Sequence, residues 1–265
     1  MELTEMRAPG VTARRHLLRF GPATDHERRL FCLPYAGGTP GAYRAWSKRL
    51  PTDVDVTAVT LPGRTPGSGE PLLGSVGEIV AVLRAEVEAA ADLPYALFGH
   101  SMGALVAFEL AVALEASEGR GPDCLFVSGR RAPDEPHTAS FIHDLPDEEF
   151  LDALDRSYGG VPDAIRHEPE LLALLLPALR ADVRTFETYT RLSDTRVRCP
   201  VHVSGGADDT RPRPDELRGW QRVAEQDISV RLFPGGHFYL TTETEAVTTD
   251  IATRWARDRT ERGAG

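Results

Sequence analysis

Between Phe98 and Ala111 the chain reads FGHSMGALVAFELA, and this stretch restricts the fold more than any other. Before it, YALFGH is a short apolar run of the kind that forms a buried strand. After it, ALVAFELAVALEA is long and apolar enough for a helix packed on a sheet. The junction is Gly99-His100-Ser101-Met102-Gly103, a G-x-S-x-G pattern. A strand that turns directly into a helix across this pattern needs a sharp, strained corner, so the residues two away from the serine must be small. Ser101 then stands at the top of a sheet and at the head of a helix, where the helix N-terminus favours negative charge on a reacting oxygen.

The rest of the chain supplies a sheet for that corner. RRLFCLPY (28–35), DVTAVTL (55–61), CLFVSG (124–129), PVHVSGG and ISVRLFPGG read as strands. VGEIVAVLRAEVEAA carries Ile79, Val80, Leu83 and Val87 at helical spacing. Strand–helix alternation of this kind predicts an α/β fold with a mostly parallel central sheet and helices on both faces. At 265 residues one domain spanning 1–265 is expected. From Asp134 to Arg191 the rhythm breaks: no strand is apparent, and leucine, phenylalanine and acidic residues follow helical spacing. An insertion of this length between core strands is expected to be a helical lid, about 134–191. Its Phe141, Leu145, Phe150, Leu151 and Leu154 are expected to wall a pocket.

A serine hydroxyl is a weak nucleophile at neutral pH and needs a base and an orienting acid. In this fold the order along the chain is Ser, then Asp or Glu, then His. Of eight histidines, His237 alone follows the last strand, in PGGHFYL, and is the expected base. His100 is expected to point away along the elbow, and His202 to be packed within a strand; His137, His143 and His167 fall in the insertion, and His16 and His26 near the N-terminus. The acid belongs on the loop after PVHVSGG, where Asp208 and Asp209 stand in tandem; counting from Gly205 or Gly206 leaves both open. The oxyanion hole needs two backbone N–H groups: Met102, after the nucleophile, and Ala36, in the glycine-containing loop LPYAGGTPGAY.

LFCLPYAGGTPGAYRAW, LPGR, FGHSMGALVAFELA, LRADVRTFETY and PGGHFYL, taken in order from about Leu30 to Trp255, resemble the type II thioesterases. These are free-standing α/β-hydrolases that accompany modular polyketide and nonribosomal peptide synthases. The resemblance implies hydrolysis of short, stalled or aberrant acyl groups from the phosphopantetheine arm of an acyl carrier or peptidyl carrier protein. It implies Ser101 as nucleophile, His237 as base, and Ala36 and Met102 as oxyanion donors. Aligned without a gap from Pro200, it puts the acid on Asp209. The sequence departs from the family at Thr210, where a proline commonly follows the acid, and at Thr65 and Pro66 after LPGR.

Composition narrows the alternatives. A net charge of −10 argues against nucleic acid, and no stretch reads as a signal peptide or membrane helix. Cys32, Cys124 and Cys199 show no zinc or disulfide spacing, as expected of free thiols in the cytoplasm. No metal or cofactor is expected. Two other functions compete: an esterase or amidase acting on free small molecules with the same triad, and a hydrolase-fold binding protein without catalysis. The complete Ser, Asp and His set disfavours the second. Because a carrier protein is usually acidic, docking is expected to rest on local arginines or an apolar patch rather than on overall charge.

Overall fold

The computed structural model describes residues 15–20, 26–65, 67–158 and 168–263. Seven strands form one sheet: β1 Leu17–Phe20, β2 Arg28–Leu33, β3 Val54–Val59, β4 Tyr95–His100, β5 Leu125–Ser128, β6 Val201–Gly206 and β7 Ser229–Phe233. Their spatial order is β1-β3-β2-β4-β5-β6-β7, parallel throughout except for β1, which runs antiparallel to β3. Together with its flanking helices this is the α/β-hydrolase fold.

Strand β1 was not expected. It has only four residues, and its partly exposed pattern, with Leu18 half exposed, carries no alternation to read. The six strands legible in the sequence all appear. β2, β3 and β4 are buried along their whole length, as strands covered on both faces must be. Their side chains divide by the two-residue period. Phe31, Leu33 and Leu97 face a core shared with α1 (Val76–Ala90) and α2 (Met102–Glu115). Leu30, Cys32, Ala96 and Phe98 face a second core shared with the 3₁₀ segment Pro40–Lys48 and with α6 (Thr244–Gly263). Helix α6 includes the polar C-terminal Thr260–Gly263. The three cysteines are buried and unpaired. Among the described residues no helix is long and apolar enough to cross a membrane.

Helix α1 starts where Ser75 accepts the Glu78 N–H at 3.3 Å and donates its hydroxyl to the Glu78 carboxylate at 2.7 Å, a reciprocal cap. Helix α2 is buried nearly all round, lying between the sheet and its helical neighbours, and it even buries Glu109. Between β5 and β6 the described residues hold α3 (Asp147–Tyr158) and α4 (Pro169–Glu187) and no strand. Residues 159–167 of the segment expected as a lid, including His167, lie outside the described residues. A short helix α5 (Tyr239–Thr242) follows β7.

Candidate active site

The serine sits on the corner that its glycines require. Ser101 has φ 53° and ψ −117°, the sole positive φ among described non-glycine residues. That is a strained backbone, held here because everything around it is fixed. A Cβ on Gly99 would lie 2.1 Å from the Gly103 carbonyl oxygen, and one on Gly103 would lie 2.5 Å from the Leu33 and Pro34 oxygens. Neither position can carry a side chain without moving backbone. The Ser101 N–H is tied to the Ser128 carbonyl at the end of β5, at 2.8 Å.

Three side chains from three strand ends then meet. The Ser101 hydroxyl lies 3.0 Å from His237 Nε2, and His237 Nδ1 lies 2.8 Å from Asp209 Oδ2. A carboxylate only accepts, so Nδ1 carries the proton and Nε2 presents its lone pair to the serine. All three residues are buried. Asp209 is fixed by its other oxygen, which accepts the Arg211 N–H at 2.9 Å. The tandem aspartates separate clearly: Asp208 is exposed, and its backbone N–H is bonded to the Gly235 carbonyl at 3.0 Å. Asp209 is the one turned to the histidine.

His100 departs from expectation. It does not point away from the site; it is fully buried beneath it, its ring 5.0 Å from that of His237. Strand alternation accounts for this, since His100 follows Phe98 by two residues and faces the same side. Its Nδ1 bonds Ser128 Oγ at 2.8 Å, Ser128 bonds the Tyr239 hydroxyl at 2.6 Å, and Tyr239 donates to Ser204 at 2.8 Å. Burial, and secondarily the neighbouring His237, push the His100 pKa well below its usual 6.5, so the ring is neutral. Burial also lifts the Tyr239 hydroxyl to about 12. His202 is packed as expected, between Ser229 at 2.7 Å and Asp258 at 2.7 Å.

Above the serine is a cavity of about 290 Å³. Its floor includes Ser101, His237 and Ala36, and its walls are mostly apolar side chains of α3 and α4: Leu151, Leu154, Leu172, Leu175, Leu176, Leu179 and Phe186. Of the five apolar residues expected to wall it, Leu151 and Leu154 do. Phe150 and Leu145 pack into the core instead, and Phe141 is half exposed. Phe150, Leu151 and Leu154 all lie on the one buried face of α3, and helical spacing does not encode which of them also border the cavity. Tyr158, which the sequence did not single out, puts its ring 5.1 Å from that of His237.

The oxyanion candidates flank this floor. Met102 is the first residue of α2, where N–H groups lack helical partners. Ala36 opens a turn closed by Gly38 N–H to the Tyr35 carbonyl at 2.8 Å. Among the described residues neither the Ala36 nor the Met102 N–H meets an acceptor.

Comparison with known proteins agrees with this geometry. The family model described as thioesterase domain matches residues 28–254. Gramicidin S biosynthesis protein GrsT of Aneurinibacillus migulanus is 38% identical over 212 residues, covering 80% of this chain and 82% of that protein. Thioesterase PikA5 of Streptomyces venezuelae is 38% identical over 240 residues, covering 88% and 83%. Among solved structures, the type II thioesterase BorB from the borrelidin biosynthetic cluster superposes with a TM-score of 0.80 at 34% identity, covering 91% of this chain and 96% of that one.

Proposed function

The chain belongs to the thioesterase family and is a type II thioester hydrolase, and from that premise we propose how its site works and what it works on. Ser101 is the nucleophile, His237 the general base and then acid, and Asp209 the group that holds His237 in the productive tautomer. The Ser101 oxygen attacks the thioester carbonyl carbon while His237 Nε2 takes the hydroxyl proton. The carbonyl oxygen becomes an oxyanion held by the Ala36 and Met102 N–H groups, an arrangement that lowers the barrier because the donors are already aimed. The C–S bond breaks as His237 returns the proton to the departing thiol. Water, deprotonated by the same histidine, then releases the acid from the acyl-enzyme.

What supports this reading above all is the hydrogen-bonded chain from Ser101 through His237 to Asp209 at the floor of an apolar cavity. The segment spanning α3 and α4 acts as the lid expected over 134–191, excluding bulk water from the acyl-enzyme. The substrates are short acyl groups on the phosphopantetheine arm of an acyl or peptidyl carrier protein. Leu171 and Leu174, exposed on α4 beside cavity-lining Leu172 and Leu175, offer apolar surface for such a partner. A cytoplasmic location fits three buried cysteines that remain unpaired.

The test is a panel of acyl-loaded carrier proteins followed by intact mass spectrometry, with the same acyl groups on a small thiol alongside. Acyl loss is expected with higher kcat/KM on the carrier, since carrier contacts that persist in the transition state lower its barrier. Ser101→Ala is expected to lose on the order of 10⁶ in kcat and all labelling by a fluorophosphonate. Equal kcat/KM on carrier and small thiol would replace carrier recognition with a small-molecule esterase.

A further inference from the structure

Two stretches stand out in the sequence without a part in the triad, LPGR at 61–64 and LRADVRTFETY at 179–189. The second forms the C-terminal half of α4 and the residues just after it, and its polar side chains are buried. Asp182 is 1% exposed and Glu187 3% exposed. A charge buried on a lid helix is costly unless it is paired, so its partners show what it is for. Glu187 receives the Ile142 and His143 N–H groups at 2.9 and 3.1 Å. Tyr189 donates to Glu109 of α2 at 2.5 Å. These bonds fasten α4 to the body and to the start of the insertion.

Asp182 reaches further, to the loop that carries Ala36. Its Oδ2 accepts the Gly37 N–H at 2.8 Å, and its Oδ1 accepts Arg64 Nε at 2.8 Å. Arg64 is itself held by its own loop, through the Pro62 and Leu73 carbonyls at 2.8 and 2.7 Å. The turn that results is defined. Gly37 has φ +72°, and Gly38 closes the bond to Tyr35, so Tyr35 to Gly38 form a type II turn with Ala36 and Gly37 at its centre. Two peptide planes meet at the Ala36 Cα. The one carrying the Ala36 N–H is held by Gly38 through the Tyr35 carbonyl. The other carries the Gly37 N–H and is held by Asp182. Flipping that second plane gives the competing type I turn and would aim the Ala36 carbonyl at the Asp182 carboxylate. Leu179, one helical turn before Asp182, presses on the same spot, since a Cβ on Gly37 would lie 2.9 Å from its Cδ1.

We propose that Asp182 is a positioning residue for thioester hydrolysis, acting through the Gly37 peptide to hold Ala36 where its N–H serves the oxyanion, so that this half of the oxyanion hole is complete only when α4 is seated. The inference rests on the assignment of Ala36 as an oxyanion donor. Removing a donor outright costs about 10²–10³ in kcat, and displacing one costs less. Asp182→Ala is therefore expected to lower kcat about 10- to 100-fold on a butyryl thioester of N-acetylcysteamine, with KM within about threefold. The Ki of an alkyl trifluoromethyl ketone, which forms a tetrahedral adduct, is expected to rise by the same factor as kcat falls. Asp182→Asn can accept the Gly37 N–H only with its NH₂ turned toward Arg64, donor against donor, so it is expected to recover kcat in part, to a value between those of Asp182→Ala and the wild type. If Asp182→Ala does not fold, Asp182→Ser, whose hydroxyl takes the place of the carboxyl carbon and falls one bond short of both Gly37 and Arg64, is read the same way. A folded variant with wild-type kcat, a raised KM alone, or a lowered kcat with unchanged Ki each overturns the positioning role. Wild-type protein that neither hydrolyses the thioester nor takes a fluorophosphonate on Ser101 overturns the hydrolase mechanism itself, a result separate from any effect at Asp182.

Discussion

Replacing Asp209 by asparagine tests the site most sharply, because the structure dictates how the amide must turn. Asp209 Oδ1 receives the Arg211 N–H at 2.9 Å, and Oδ2 receives His237 Nδ1–H at 2.8 Å. An asparagine has one oxygen to offer. If that oxygen keeps the Arg211 N–H, the NH₂ group faces His237 and donates to Nδ1. The imidazole proton must then sit on Nε2, the atom that has to take the Ser101 proton. If the amide turns the other way, the NH₂ group faces the Arg211 N–H, donor against donor, and that bond to the loop is lost. Both routes fail, and the first defeats catalysis directly. A wrong tautomer of this kind costs about 10⁴ in kcat, or about 5.5 kcal/mol of transition-state stabilisation. Asp208→Asn changes an exposed side chain and is expected to stay within about threefold of wild type. The assay is thiol release from a short acyl thioester at pH 7.5, with a thermal melt showing that both variants fold. Asp209→Asn retaining more than a tenth of wild-type kcat, or Asp208→Asn falling as far, would refute the assignment.

Gly103→Ala puts a Cβ 2.5 Å from the Leu33 and Pro34 oxygens at the root of the Ala36 loop. Urea denaturation is expected to show a loss of about 2–3 kcal/mol, accompanied by lower kcat, and wild-type values in both would contradict the packing described for the elbow. His100 stays neutral when folded and takes a proton near pH 6.5 when unfolded, so the unfolded chain binds more protons below that pH and stability falls as pH drops. The contribution approaches about 1.4 kcal/mol per pH unit, and His100→Gln is expected to show a correspondingly shallower fall in unfolding free energy between pH 6.5 and 5; equal slopes would place the proton elsewhere. In the cavity the charges of Arg64 and Asp182 are spent on each other, so propionyl thioesters are expected to exceed malonyl thioesters in kcat/KM by at least about tenfold, measured on one small thiol. A malonyl preference would mean that a cation is available to the acyl group.

The sheet, the elbow and the place of His237 were legible because each rests on local rules. Buried parallel strands show as continuous apolar runs, the corner at Ser101 demands glycine two residues away on each side, and His237 occupies the one turn after the last strand. The acid was not legible in the same way. Which of two adjacent aspartates turns inward depends on where the loop after β6 is tied, and it is tied to the loop carrying His237 through the Asp208 N–H and the Gly235 carbonyl. That bond joins the loops after two consecutive strands, β6 and β7, across the residues between them, so counting along Asp208 and Asp209 could not find it; only the register of related chains pointed to Asp209. His100 was misread for the opposite reason. The strand's own two-residue alternation, which places Phe98 on the second core, puts His100 beneath the site, and the sharp turn begins only after it, at Ser101.

The insertion shows where apolar spacing loses its power and where buried charge takes over. Phe150, Leu151 and Leu154 share one helix and all pack in the core, yet only the last two also line the cavity. Spacing establishes that α3 is amphipathic, but it does not say whether a given apolar side chain meets protein or substrate, because both are apolar. Polar residues carry that missing information. On α4, Asp182 and Glu187 could not be buried unless something fixed were there to receive them. For Asp182 that is a peptide N–H at the oxyanion turn and Arg64 from the strand β3 loop; for Glu187 it is the N–H pair at Ile142 and His143. Each such residue therefore marks a point where α4 is anchored, whereas Leu172, Leu175, Leu176 and Leu179 before them mark only that the cavity wall is apolar. The anchors lie in the C-terminal half of α4, and exposed Leu171 and Leu174 lie in the half before Pro177. Asp182 and Glu187 fasten the C-terminal half of α4 beside the Ser101 and His237 floor, while Leu171 and Leu174 present apolar surface on its N-terminal half, so a partner that touches those leucines would bear on the same helix that Asp182 ties to the Gly37 peptide.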